Sequence, residues 1–143
     1  MKVEPQGPNE CMLATIAALA NVPLAEVRER ALKYAKATCW ADVVYTKQYW
    51  KTVHALRRAY KAPVPTRATF YRWHNSATVC GADVSLSGRG SVVVKADAYT
   101  RYHIMPFEDG HVYDTSTPNP RPETIDAAVS RSSYLYIVGV WRK

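Results

Sequence analysis

Hydrophobic and polar positions along the chain change their period near its middle. The alanine-rich run CMLATIAALA, residues 11–20, predicts a first helix from about Cys11 to Ala20. Asn21 offers its stop and Pro23 a fresh start. Leu24, Val27, Ala31 and Tyr34 or Ala35 then recur at helical spacing, with Glu26, Arg28, Glu29, Arg30 and Lys33 between them, so an amphipathic second helix follows. Thr46 can cap a third, whose apolar stripe is Tyr49 or Trp50, Val53, Leu56 and Tyr60, and the prolines of APVPT, residues 62–66, end it. The stretch after it shows no clear period and reads as a link.

From Gly90 onward the pattern is that of strands. SVVVKA, residues 91–96, is a β-branched run, and TRYHIMPFE, residues 100–108, alternates Tyr102 and Ile104 against Arg101, His103 and Met105. Asp109-Gly110 is a strong hairpin signal, which makes HVYDTS, residues 111–116, the returning strand. Pro122 followed by Glu123 predicts the opening of a short helix, and YLYIVGVW, residues 134–141, a buried strand that closes the sheet. Helices first and an antiparallel sheet second define an α+β class. With 143 residues, 48% of them apolar, one domain over 1–143 is expected, its helical half at about 11–61 and its sheet half at about 90–143.

Charge changes this picture in one place. The net charge is +7, and residues 43–82 hold Lys47, Lys51, Arg57, Arg58, Lys61, Arg67 and Arg72 without a single acid. Aromatic residues interleave them. Such a segment reads either as a docking face for an acidic protein or nucleic acid, centred on Lys47, Lys51, Arg57 and Arg58, or as a solvated helix face whose aromatics belong to the core. No apolar run approaches the roughly 18 residues a membrane crossing needs, and MKVEPQGPNE lacks the apolar stretch of a signal peptide. A cytoplasmic protein is expected. Cys11, Cys39 and Cys80 are widely and irregularly spaced, which indicates neither a disulfide framework nor a metal site, and no cofactor motif is present.

Cys11 carries the candidate chemistry. A thiol at a helix N-terminus faces unpaired backbone N–H groups and the positive end of the helix dipole, and both favour thiolate. Gln6, five residues upstream, can supply an amide to an oxyanion hole together with the Cys11 N–H. A nucleophilic cysteine also needs a base, and the base an orienting acceptor. The hairpin places His103 opposite a position near Asp114 or Ser116, close enough for carboxylate to reach imidazole. His111 is a backup base and Asn119 a weaker orienter, while His54, His74, Cys39 and Cys80 read as surface or incidental residues. The bland alternatives are a Cys11 that is simply a small buried hydrophobe and an Asp114 that only caps the TSTPNP turn.

Gln6, Cys11 with the MLATIAALA helix, the NVPLAEV continuation, His103 in a strand and DGHVYDTSTP together resemble the papain-like cysteine peptidases, within them the peptidase C39-like branch with its many small phage and bacterial members. The likeness brackets residues 6–118, with two dense patches and a weakly matching middle. It implies a nucleophile-bearing helix packed on an antiparallel sheet, with Cys11 as nucleophile, His103 as general base and acid, Asp114 as orienter and Gln6 as oxyanion donor. The implied activity is cysteine-dependent hydrolysis of an amide bond by a peptidase or isopeptidase. Two positions depart from the family pattern: Met12 stands where a glycine commonly follows the nucleophile, and the gap from Gln6 to Cys11 is one residue short. They support a second expectation, a papain-like scaffold with weak or no catalysis that binds a host protein or nucleic acid.

Overall fold

In the computed structural model, which describes residues 1–74, 85–95, 102–131 and 136–142, the first helix, α1, spans Cys11–Ala20. Its residues Met12 to Leu19 are all buried, as a helix without charges must be. Asn21 ends it in the left-handed conformation (φ 61°), its N–H bonded to Ala18 O and the following Val22 N–H to Ala17 O. Helix α2, Leu24–Ala35, buries Leu24, Val27 and Ala31 and leaves most of its charged face in water. Helix α3, Gln48–Tyr60, buries Thr52, Val53 and Leu56. The Thr46 hydroxyl accepts from Gln48 N–H at 3.2 Å, although Lys47 is the boundary residue.

Two elements differ from the sequence pattern. Arg67–His74 is a helix, α4, where no period was expected. Its start is a reciprocal threonine cap: Thr66 Oγ1 accepts from Thr69 N–H (3.2 Å) and Thr69 Oγ1 from Thr66 N–H (2.9 Å). Threonine therefore takes the place that glutamate or glutamine fills in the usual capping box. Pro122–Glu123, expected to open a helix, is instead a two-residue strand, β4, paired with Tyr113 and Val112. Proline is tolerated there because the strand lies at the sheet edge. The short helix, α5, starts later, at Ile125–Arg131, with the Thr124 hydroxyl accepting from Ala127 N–H.

The sheet comprises β1 (Arg89–Lys95), β2 (Tyr102–Glu108), β3 (His111–Tyr113), β4 and β5 (Tyr136–Arg142), in the order β4-β3-β2-β1-β5 with antiparallel pairing among these described residues. The fold class is thus α+β. Glu108 pairs with His111 across Asp109 (φ 50°) and Gly110 (φ 88°), both left-handed as a two-residue hairpin turn requires. Val93 and Ile104 join the core under α1, α2 and α3, while Val92, Val94, Met105, Phe107 and Val112 pack with Ile125, Ala128 and Ile137 on the other face. Both faces are covered, which is why SVVVK reads as a continuous apolar run.

The ladder between β2 and β3 is short. Its pairs are Phe107 with Val112 and Glu108 with His111, and β2 continues beyond them to Tyr102. Along that continuation α1 takes over as neighbour: Ile104 gives its carbonyl to the Thr15 hydroxyl (3.3 Å) and its N–H to the Cys11 sulfur. Cys11 and Thr15 are one helical turn apart on the same face. The nucleophile candidate is therefore docked on the strand that carries the candidate base. Among the described residues no helix is long and apolar enough to cross a membrane.

Candidate active site

Cys11 is the first residue of α1, half-buried, with no side chain capping the helix ahead of it. Its thiol faces His103 on β2 and the backbone N–H groups of Ile104 and Met12. Burial opposes ionisation of this thiol, but the imidazole and the backbone donors outweigh it, and the pKa lies below the ordinary thiol value. That direction is the one a nucleophile needs.

His103 is buried, at 8% exposure, and its Nε2 lies 2.9 Å from Asp114 Oδ1. With Nε2 so engaged, Nδ1 is the nitrogen that remains to face sulfur. Burial alone would drive the imidazole neutral; the Asp114 carboxylate and the Cys11 thiolate reverse that effect and raise its pKa to about 9. Asp114, 1% exposed, sits far below the usual carboxylate range: its burial is overcome by His103 and by Ser116. Oδ1 accepts from Ser116 N–H at 3.0 Å and from the Ser116 hydroxyl at 2.6 Å besides its contact with His103. The turn-capping role and the orienting role of Asp114 thus coexist in one oxygen atom.

Gln6 is tied to the residue that follows Asp114. Its backbone N–H donates to Thr115 O (2.8 Å), and its Oε1 accepts from the buried Thr115 hydroxyl (2.7 Å). The Nε2 end carries no hydrogen bond among the described residues. The loop from Gln6 to Cys11 is braced further by Glu10, 5% exposed, whose carboxylate binds Gly7 N–H (2.8 Å) and both Nε (2.5 Å) and a terminal nitrogen (2.7 Å) of Arg28. A Cβ at position 7 would stand 2.6 Å from Glu10 Oε1, so a side chain there would displace the carboxylate end of this clasp. Trp40 donates from Nε1 to Asn9 O at 2.9 Å and closes the brace.

Thr115, Glu10, Arg28 and Trp40 were not legible as site residues. Arg28 is one charge among several on an amphipathic helix, 18 residues from its partner, and nothing local marks the pair. Thr115 reads only as a β-branched strand residue; its position beside Asp114 was the one available signal.

A cleft of about 170 Å³ opens at Cys11, with Met12, Val44, Tyr49, Trp50, Pro65, Phe70, Val93, Tyr102 and Ile104 around it. Trp50, Phe70 and Tyr102 form a chain of ring contacts with centroids 5.4 and 5.1 Å apart. Tyr49, Trp50 and Phe70 of the basic segment therefore belong to this wall, whereas Tyr45 is exposed and Tyr60 bonds Glu26. A larger cavity, about 250 Å³ beside Lys2, Glu4, Asn21, Val22 and Pro23, contains no part of the Cys11–His103 cluster.

The remaining candidates lie elsewhere. His111 is exposed on β3, Asn119 is exposed in the following loop, and Cys39 is an exposed free thiol. His54 stacks on Trp50 (5.8 Å) and accepts the Arg67 N–H at Nε2 (3.0 Å). Cys80 lies outside the described residues, as does the side chain of His74. Of the basic set, Lys47, Lys51 and Arg58 are exposed, whereas Arg57 turns back to bond Val64 O at 3.1 Å. Comparison of the chain with protein-family models, with curated proteins and with solved structures yields no match.

Proposed function

We propose that the chain is a papain-like, cysteine-dependent hydrolase that cleaves an amide bond, as a peptidase or isopeptidase. One observation carries the reading: a helix-N-terminal thiol beside an imidazole whose Nε2 is held by a buried carboxylate. In this mechanism the Cys11 thiolate attacks the carbonyl carbon and the negative charge moves to oxygen. The Cys11 N–H and the Gln6 Nε2 are the donors for that oxyanion. The His103 imidazolium gives its Nδ1 proton to the leaving nitrogen, the C–N bond breaks, and an acyl-thioester remains on Cys11. The same nitrogen then removes a proton from water, which attacks the thioester and frees the acid and the thiol. Asp114 keeps the ring in the one tautomer and orientation that serve both steps.

The test is reaction with iodoacetamide followed by peptide mapping. Cys11 is expected to label well below pH 9 and faster than Cys39, with the preference lost in H103A. Equal, slow labelling of Cys11 and Cys39 in the parent protein would refute the reading.

A second reading is a binding protein on the same scaffold, with weak or no catalysis. It is favoured by exposed Lys47, Lys51 and Arg58 in a segment without acids, and its partner would be an acidic protein or nucleic acid. Salt-sensitive binding of a polyanion that C11A leaves unchanged is its signature.

A further inference from the structure

An amide side chain is nearly symmetric in shape and opposite in polarity at its two ends, so whether Gln6 offers a donor or an acceptor depends on what holds it. The hydroxyl of Thr115 does so. It is fully buried and lies 2.7 Å from Oε1, and the main chains of residues 6 and 115 are joined by a second bond of 2.8 Å. Thr115 also follows Asp114 directly, and residues 114–117 form a tight turn: Ser116 N–H and hydroxyl bond Asp114 Oδ1, while Thr117 N–H and hydroxyl bond Asp114 O at 3.2 and 2.8 Å. One short, internally braced segment therefore carries the partner of the imidazole on one residue and the partner of Gln6 on the next.

The geometry points to Thr115 as a positioning residue that anchors the Gln6 side chain by its Oε1 and so leaves Nε2 as the end available to the oxyanion. This inference rests on the thiol-hydrolase reading. In a flipped amide Oε1 would face a developing negative charge, and the interaction would change from stabilising to repulsive. The hydroxyl serves by holding one end of the side chain: with Oε1 on Thr115, Nε2 is the end left for the oxyanion, and without the hydroxyl the amide loses that anchor. The second bond limits how far the residue-6 backbone can drift from the segment that fixes His103. The shortened gap between Gln6 and Cys11 gives this tether added weight, since a short loop has little slack with which to correct a misplaced amide.

Two reactions of the same sulfur separate this role from general support of the fold. Acylation by p-nitrophenyl acetate passes through a tetrahedral oxyanion: sulfur bonds to the carbonyl carbon, charge builds on oxygen, and nitrophenolate leaves. Alkylation by iodoacetamide displaces iodide and forms no oxyanion. T115V is expected to slow acylation about tenfold or more while alkylation stays within about twofold, and T115S, which keeps the hydroxyl, to remain close to the parent. In a Q6A background T115V is expected to add nothing, because the group it positions is gone. Unchanged acylation in T115V would overturn the proposal, and so would an equal fall in both reactions, which marks a merely structural residue. Parent protein whose Cys11 alkylation does not depend on His103 would overturn the hydrolase reading itself, and with it this inference, and that outcome is read before any Thr115 variant is made.

Discussion

His103 and His54 have similar company in the sequence, the first following Arg101-Tyr102 and the second lying between Trp50 and Arg57-Arg58, yet the fold drives their proton affinities apart. Both are disfavoured as cations by burial. For His54 the neighbouring Arg58 and Arg57 add to that effect and the pKa falls below 6.5. For His103 a buried carboxylate and a thiolate overturn it and the pKa rises to about 9. One ring is thus kept neutral to accept the first N–H of α4, and the other is kept charged beside sulfur. Side-chain type says little about the chemistry of a histidine; the sign of the charge packed against it decides.

The sharpest way to break this contrast is to remove each ring. H103A, and D114N, which spoils the tautomer, are expected to lower amide turnover by about 10⁴-fold, while H54A stays within about twofold of the parent. Turnover that is indifferent to His103 would place the two rings in the same class. Next in size is the buried clasp behind Cys11. R28A leaves the Glu10 carboxylate buried without its partner and is expected to cost about 2 kcal/mol in urea denaturation, less than a fully buried pair because Arg28 is 39% exposed.

The pH dependence of stability sharpens the contrast further, since the two rings act with opposite sign. The folded pKa of His103 is raised, so its stabilising contribution is complete below pH 6.5 and is lost as pH rises through about 9. Cys11, with its folded pKa lowered, works against this over the same range, and C11S removes the opposing effect. In C11S, where the Asp114 contribution remains and that of the thiolate is gone, the urea midpoint is expected to fall as pH rises above 6.5, over a range that ends below about 9, and the fall to vanish in C11S/D114N. The folded pKa of His54 is lowered, so its contribution is complete above pH 6.5 and declines as pH falls through the depressed value. A smaller loss below pH 6.5, absent in H54Q, is the corresponding observation. The least effect is expected from K47Q/K51Q/R58Q. These side chains are exposed, so the urea midpoint should not move, and any loss will be in salt-dependent polyanion binding.

Local pattern was enough for most of the elements. The ends of α1 and the two-residue hairpin follow from Asn21 and Asp109-Gly110, residues that relieve left-handed backbone where they stand. Helix α4 escaped because its cap uses Thr69 where glutamate is usual, and β4 because proline with glutamate opens helices more often than it edges a sheet. At the candidate site, the pairing of His103 with Asp114 could be read from hairpin spacing. The clasp of Glu10 with Arg28 and the tether of Thr115 to Gln6 could not, since each joins residues 18 or 109 positions apart without a repeating pattern.

By itself, then, the order of residues determined where most of the helices and strands lie, though not α4 or β4, which thiol stands at a helix start, and which histidine faces an aspartate, because all of these depend on neighbours within about a dozen positions. Only the tertiary structure decided that α1 lies along the β2 edge that β3 leaves unpaired, that Tyr49, Trp50 and Phe70 of the basic segment wall the cleft at Cys11, and that His103 is charged while His54 is neutral. Those outcomes depend on which groups are packed together after collapse, and burial and Coulomb interaction act through space without regard to chain order.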